Sequence, residues 1–134
     1  MCLRCQFALL VGLLACVGCS KQKTTDELLV DLKSHTERER ISAVRLLSNR
    51  KGDEARIVPA LVAALKDKDG DVRRSAALGL GTFGTQAREA IPALKDTAQS
   101  DRDARVRESA GTALSRIDPQ KFPNEPQPLA SPEK

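Results

Sequence analysis

Residues 72–83 read VRRSAALGLGTF, and residues 106–117 read VRESAGTALSRI. The two stretches begin thirty-four residues apart, and each places apolar or small side chains at its positions 1, 5, 8, 9 and 12. Residues at this spacing lie on one face of an α-helix, so each stretch predicts an amphipathic helix with a buried stripe. Two such helices at a fixed separation of this length indicate a helical repeat.

A third, weaker copy of this pattern lies upstream. Four of its residues precede their counterparts by thirty-three positions: Arg40, Ala43, Leu46 and Leu47 stand before Arg73, Ala76, Gly79 and Leu80. The segment before each stripe recurs too, because residues 58–61 (VPAL) match residues 91–94 (IPAL). Each unit is therefore a helix pair, and we expect Leu46 to point inward. The predicted fold is all-α, an α-α superhelix (solenoid) of about three helix-pair repeats over residues 26–117.

The composition agrees with closely packed helices in a single domain. The chain has 134 residues, and only 2% of them are aromatic, which disfavours a β-sandwich or barrel. Charged residues make up 30% of the chain with both signs interspersed. The net charge of +4 therefore indicates a solvated surface, and no nucleic-acid partner is expected.

All four cysteines stand in the first nineteen residues, as the pairs Cys2 with Cys5 and Cys16 with Cys19. Paired cysteines at this spacing can hold a zinc ion in a tetrahedral site. The segment between the pairs reads QFALLVGLLA and lacks the polar and turn residues that such a site needs to fold. A positive residue, an apolar stretch and then small residues are typical of a secretory signal peptide, which we expect over residues 1–19.

The end of the apolar stretch also indicates lipid attachment. Leu13-Leu14-Ala15-Cys16 resembles the bacterial lipobox, in which the cysteine is diacylated and becomes the mature N-terminus. Cys19 is a second, overlapping candidate, and Cys16 is favoured over it. An ordinary cleaved signal is the alternative. The prediction is a lipoprotein anchored in the bacterial cell envelope, with the choice of inner or outer membrane left open and residues 20–25 as a tether.

Local signals predict where helices begin and where the folded part ends. Thr24 with Glu27, and Thr36 with Glu39, have the spacing of capping boxes. Pro59 is expected in the first turn of its helix, where the missing N–H costs little. Residues 118–134 contain five prolines and predict a disordered tail.

The two strong stretches resemble the second helix of HEAT-like repeats of the phycobilisome-lyase type. Their turn aspartates, their Val-Arg pair and the preceding Pro-Ala-Leu segment match that pattern over residues 26–117. The resemblance implies an inter-repeat ladder of charged residues, namely Asp69, Arg73, Asp103 and Arg107. The first copy departs from it, with Ser34 and Thr36 in place of turn aspartates and Glu39 in place of valine, as expected of an N-terminal cap.

No catalytic constellation is evident, so the protein is not expected to be an enzyme or to need a cofactor or metal. The single histidine, His35, stands in a polar turn beside hydroxyl residues. The acidic run Asp67, Asp69 and Asp71 does not make a calcium loop, because the twelfth position holds Leu78 instead of glutamate. Chromophore attachment does not follow from the resemblance, since a fold does not carry an activity with it.

The function predicted is therefore non-catalytic binding of a protein partner along the stacked helices. Exposed positions of the second helices, Arg45, Arg74 and Glu108, are the candidate contacts. The last repeat has no evident cap, which leaves self-association through that end as a further expectation. Two alternatives stay open: an accessory or chaperone-like subunit for an enzyme or chromophore-attachment system, and a cytoplasmic zinc-binding adaptor.

Overall fold

The structure is a computed structural model that describes residues 22–123, and every regular element in that range is helical. Six α-helices follow one another: α1 Thr25–Asp31, α2 Glu37–Ser48, α3 Glu54–Ala64, α4 Gly70–Thr82, α5 Ile91–Ser100 and α6 Ala104–Ile117. A 3-10 segment, Gly84–Ala90, leads into α5. The predicted all-α class is confirmed. The predicted signal peptide, with all four cysteines, and residues 124–134 lie outside the described residues.

The helices form three successive pairs, and the second helices stack side by side with α4 between α2 and α6. The core lies between this layer and the first helices α1, α3 and α5. Its largest fully buried side chains come from both layers and include Leu28, Leu47, Leu61, Leu80, Leu94 and Ile117. Burying a leucine or isoleucine side chain contributes about 1.5–3 kcal/mol, so this shared core holds the two layers of helices together.

The predicted stripes of α4 and α6 are buried, but Leu46 of α2 is 49% exposed, so its expected inward orientation is wrong. The counterparts of Leu46 show why. Gly79 lies against Ser48 of the preceding second helix, and a Cβ on Gly81 would stand only 3.1 Å from Cα of Ala113. Position 46 thus belongs to the side of a second helix that meets the preceding repeat. The described chain has no repeat before α2, so Leu46 is left exposed.

One of the two predicted capping boxes forms. The Thr24 hydroxyl accepts from the Glu27 N–H at 3.3 Å, and the Glu27 carboxylate accepts from the Thr24 N–H at 2.7 Å. The box predicted at Thr36 is wrong, since its side chain makes no capping bond. The reason is Ser34, whose hydroxyl donates to the Glu39 carboxylate and accepts from the Thr36 N–H at 3.1 Å.

Pro59 lies inside α3, so its placement in a first turn is wrong. The helix begins at Glu54, and both Pro59 and Ala55, whose carbonyl would have accepted the missing N–H, are exposed. Water can therefore donate a hydrogen bond to the Ala55 carbonyl in place of the missing N–H. Pro92, in contrast, does stand in the first turn of α5.

The ordered domain extends beyond the predicted 26–117 at both ends. Thr25 is buried, and its hydroxyl donates to the Asp53 carboxylate at 2.5 Å. After α6, the Phe122 N–H donates to the Asp118 carbonyl at 3.0 Å and the ring packs against the core. The first residues of the predicted disordered tail are thus folded. No helix among residues 22–123 is long and apolar enough to span a membrane.

Candidate interaction surface

Each second helix carries an arginine near its start that bonds back to its own turn. Nη1 of each donates to the carbonyl six residues earlier: Arg40 to Ser34 at 2.8 Å, Arg73 to Asp67 at 2.9 Å and Arg107 to Asp101 at 2.7 Å. The repetition of this bond fixes each guanidinium in the same orientation. In Arg40 and Arg73 the opposite edge, formed by Nε and Nη2, points toward the next repeat.

In the first two repeats that edge binds an aspartate of the following turn. Arg40 donates from Nε and Nη2 to Asp67 at 2.8 and 3.1 Å, and Nη2 also contacts Asp69. Arg73 donates in the same way to Asp101 at 2.7 and 2.9 Å. Such two-point pairing of a guanidinium with a carboxylate is strong and directional, so it sets the register of neighbouring repeats.

The Arg73–Asp101 pair is buried, and the buried Arg40 pairs with the partly exposed Asp67 and Asp69. Arg40 and Arg73 are 4% and 5% exposed, and the Asp101 side chain is 8% exposed. The hydrogen bond from Arg73 lowers the pKa of Asp101, and the bond to Asp101 raises the pKa of Arg73. Asp101 also accepts from the Asp103 N–H at 2.9 Å, so one carboxylate joins two repeats and shapes a turn.

The four residues named for the ladder have different roles. Asp69 contacts Arg40, and Arg73 pairs with Asp101 rather than with Asp103. Asp103 instead caps α6, where it accepts from the Arg105 N–H at 2.9 Å. Within residues 22–123, Arg107 bonds only to its own turn.

Sequence reasoning missed Arg40, Asp67 and Asp101 as members of the ladder. The signal was present, because Arg40 stands thirty-three residues before Arg73 and Asp67 stands thirty-four before Asp101. Only the side-chain geometry shows which of the two turn aspartates receives the guanidinium.

The three candidate contact residues, Arg45, Arg74 and Glu108, are exposed on α2, α4 and α6. Arg74 and Glu108 occupy the repeat position that Ile41 holds in α2, whereas Arg45 stands one helical turn after Ile41. The three residues therefore do not form a single row. The structure therefore presents a broad face of mixed charge, which we call the second-helix face. Next to Arg45, a shallow groove of about 610 Å³ runs along α2 to Leu46.

A second groove, of about 480 Å³, lies between α3 and α5 above the Arg73–Asp101 pair. The hydroxyl groups that line it donate to backbone carbonyls of α5: Thr97 to Ala93 at 2.9 Å and Ser100 to Asp96 at 2.7 Å. The Ser100 hydroxyl also contacts the Asp96 carboxylate at 3.3 Å, so both hydroxyls are bonded within α5 itself. Within residues 22–123 no cluster of three or more histidine, cysteine, aspartate or glutamate side chains could hold a metal ion.

Stacked helix pairs joined by a buried arginine ladder define the class of this protein as a helical-repeat solenoid. A family model described as HEAT repeats matches residues 25–115, which is more than half of the chain. The chain therefore belongs to the HEAT repeat family. A comparison with curated proteins finds none that matches it.

Arg73→Ala is expected to destabilise the domain by about 3 kcal/mol, because it leaves the buried Asp101 carboxylate without its partner. The matched control is Arg74→Ala, which removes the same charge from the adjacent, exposed position and should change the free energy of unfolding by less than about 0.5 kcal/mol. Urea unfolding followed by circular dichroism measures both. Equal effects of the two substitutions would contradict a structural role for the ladder.

Stability should fall in acid. Because the pKa of Asp101 is lowered in the folded state, its contribution is complete above the unfolded pKa of about 3.9 and is lost as the pH falls through the lower folded value. Asp101→Asn should therefore flatten the decline of the unfolding free energy between about pH 5 and pH 2. An Asp101→Asn protein with the full wild-type slope would refute this assignment.

Proposed function

We propose that this protein is a non-catalytic interaction module, anchored by lipid in the bacterial cell envelope, that binds a protein partner through its solenoid surface. HEAT repeats commonly mediate protein–protein interactions, and the family match covers nearly the whole described domain. The observation that carries the proposal is that the charged side chains fall into two groups, one buried in ion pairs and one exposed. The repeat arginines Arg40 and Arg73 are buried and paired, whereas the charged side chains of the second-helix face are exposed and form no ion pair within residues 22–123.

The anchor rests on the N-terminal sequence. Cys16 follows an apolar stretch and a small residue, and no cysteine occurs after Cys19. The ordered domain begins at α1, close behind this segment, with Lys23 bonded to Asp31 at 2.6 Å. A diacylated Cys16 would therefore hold the solenoid within a few residues of the membrane surface.

Binding would depend on shape and charge complementarity along the second-helix face. The buried core and the ladder hold the helices that form this face, so the entropy cost of docking would come from its side chains rather than from its backbone. Arg45, Arg74 and Glu108 present both signs of charge to that partner. Their arrangement would contribute more to specificity and association rate than to affinity.

Two other functions remain as alternatives. An accessory or chaperone-like subunit of an enzyme or chromophore-attachment system would use the same face, and a zinc-binding adaptor would use Cys2, Cys5, Cys16 and Cys19. Both predict a cytoplasmic chain with an uncleaved N-terminus. Self-association through the C-terminal repeat is also a prediction. The two ends of the solenoid differ in their residues, which favours a different protein over a second copy at that repeat.

Processing of the N-terminus is the first test. The protein recovered from the membrane fraction of a bacterial host should begin at Cys16 and carry the mass of a diacylglyceryl group. Cys16→Ser should release it from that fraction, whereas Cys19→Ser should not. An unprocessed chain with four free thiols would refute the lipoprotein assignment and make zinc content the next measurement.

Partner binding can be tested with a photo-crosslinking amino acid placed at one position at a time. Arg45, Arg74 and Glu108 should each give an adduct containing the same partner, because all three lie on the second-helix face. Lys95, exposed on the first helix α5, is the matched control and should give no such adduct. The proposed binding face is wrong if Lys95 reacts equally or if none of the three positions reacts.

A further inference from the structure

Every second helix presents an outgoing stripe, the three positions that face the next repeat. The stripe consists of Arg40, Val44 and Ser48 in α2, of Arg73, Ala77 and Gly81 in α4, and of Arg107, Gly111 and Ser115 in α6. The middle residue is fully buried in the first two stripes but half-buried in the third. A Cβ placed on Gly111 would meet nothing within 4 Å, whereas a Cβ on Gly81 would crowd Ala113. The stripe of α6 is thus a repeat-stacking surface with no repeat on it in the described chain.

Arg107 heads this open stripe and has the orientation of the two ladder arginines. Its Nη1 donates to the carbonyl of its own turn at 2.7 Å, as Nη1 of Arg40 and Arg73 does. In those two arginines the opposite edge binds a carboxylate. Within residues 22–123 no carboxylate pairs with Arg107, and its side chain is half-buried at the domain surface.

We propose that the outgoing stripe of α6 is a docking site for a helix pair of another protein, one that carries an aspartate in its turn and glycine or alanine where the helices touch. This proposal rests on the proposed function and names the surface and the chemistry of the partner. The aspartate would take the free edge of Arg107, as Asp101 takes that of Arg73. The small residue would lie against Gly111 and Ser115, as Ala113 lies against Gly81.

A second copy of this chain does not offer that chemistry. The end that would have to dock has Ser34 and Thr36 where internal repeats have Asp67 and Asp69, and the Ser34 hydroxyl is bonded to Glu39. It also has Leu46 where the internal contacts use Gly79 and Ala113, too large for that approach. Head-to-tail stacking of copies would leave Arg107 unpaired, which favours a different protein as the occupant.

The probe for this site is the chain itself with its first repeat converted to an internal one. Ser34→Asp, Thr36→Asp and Leu46→Gly supply the missing carboxylates and small residue, and Gly111→Leu in the same molecule blocks its own outgoing stripe. Both proteins are prepared without residues 1–19, and binding to the otherwise unchanged chain is measured by calorimetry. Circular dichroism checks that the probe folds, and a milder probe with Ser34→Asp, Leu46→Ala and Gly111→Leu replaces it if it does not.

The chain should bind the probe, and Arg107→Ala or Gly111→Leu in the chain should weaken binding by at least about tenfold. Gly111→Leu adds its side chain to open space, so it should fold normally. Lys51→Ala, which removes an exposed positive charge between α2 and α3 and away from the stripe, should leave the affinity unchanged.

Three results would overturn the proposal. The first is no binding, or binding that is insensitive to Arg107→Ala and Gly111→Leu. The second is binding that appears only after residues 124–134 are removed, which would make the chain's own tail the occupant. The third is a wild-type dimer that Gly111→Leu dissociates, which would make a second copy the occupant. None of these results depends on crosslinking from the second-helix face, so the proposed function and the assignment of this end can fail separately.

Discussion

The buried pairing of an arginine with the aspartate of the next turn is the interaction on which the stacking of this domain depends. A single helix pair cannot bury its apolar face alone, so the three pairs are stable only when they stack in one register. Arg40 and Arg73 supply that register, because each is bonded both to its own turn and to the next one. The cost of burying these charges is offset only while both partners are present.

The periodicity of the sequence predicts the fold class and most of the core. Buried stripes at a constant spacing leave few alternatives to stacked helix pairs, and the positions of α4 and α6 follow from them. Leu46 could not be placed in the same way, because its environment depends on whether a repeat precedes it. Periodicity alone treats the first repeat like an internal one, although no repeat precedes it within residues 22–123.

Side-chain pairing was less predictable than helix position. The spacing of Thr36 and Glu39 fits a capping box, but the Ser34 hydroxyl lies within reach of that carboxylate and binds it instead. In the turn 101–103, either aspartate could have received Arg73 on sequence grounds. Asp103 is used by the start of α6, and Asp101 remains to pair with the arginine. Competition between nearby polar groups decides such cases, and it requires coordinates.

The two ends of the solenoid differ in chemistry. The first repeat has hydroxyl residues in its turn and an exposed leucine on its outer side. The last repeat has, on the outgoing stripe of α6, an arginine, a glycine and a serine at the positions that form an internal interface in the preceding repeats. The ladder thus explains the stacking within the domain, and the outgoing stripe of α6 has no repeat packed on it within residues 22–123. A double-mutant cycle on Arg73 and Asp101, with Arg73→Met, Asp101→Asn and the pair measured by urea unfolding, tests the ladder most directly. We predict a coupling energy of at least about 1 kcal/mol between the two side chains. Additive effects of the two substitutions would contradict the claim that this pair joins neighbouring repeats.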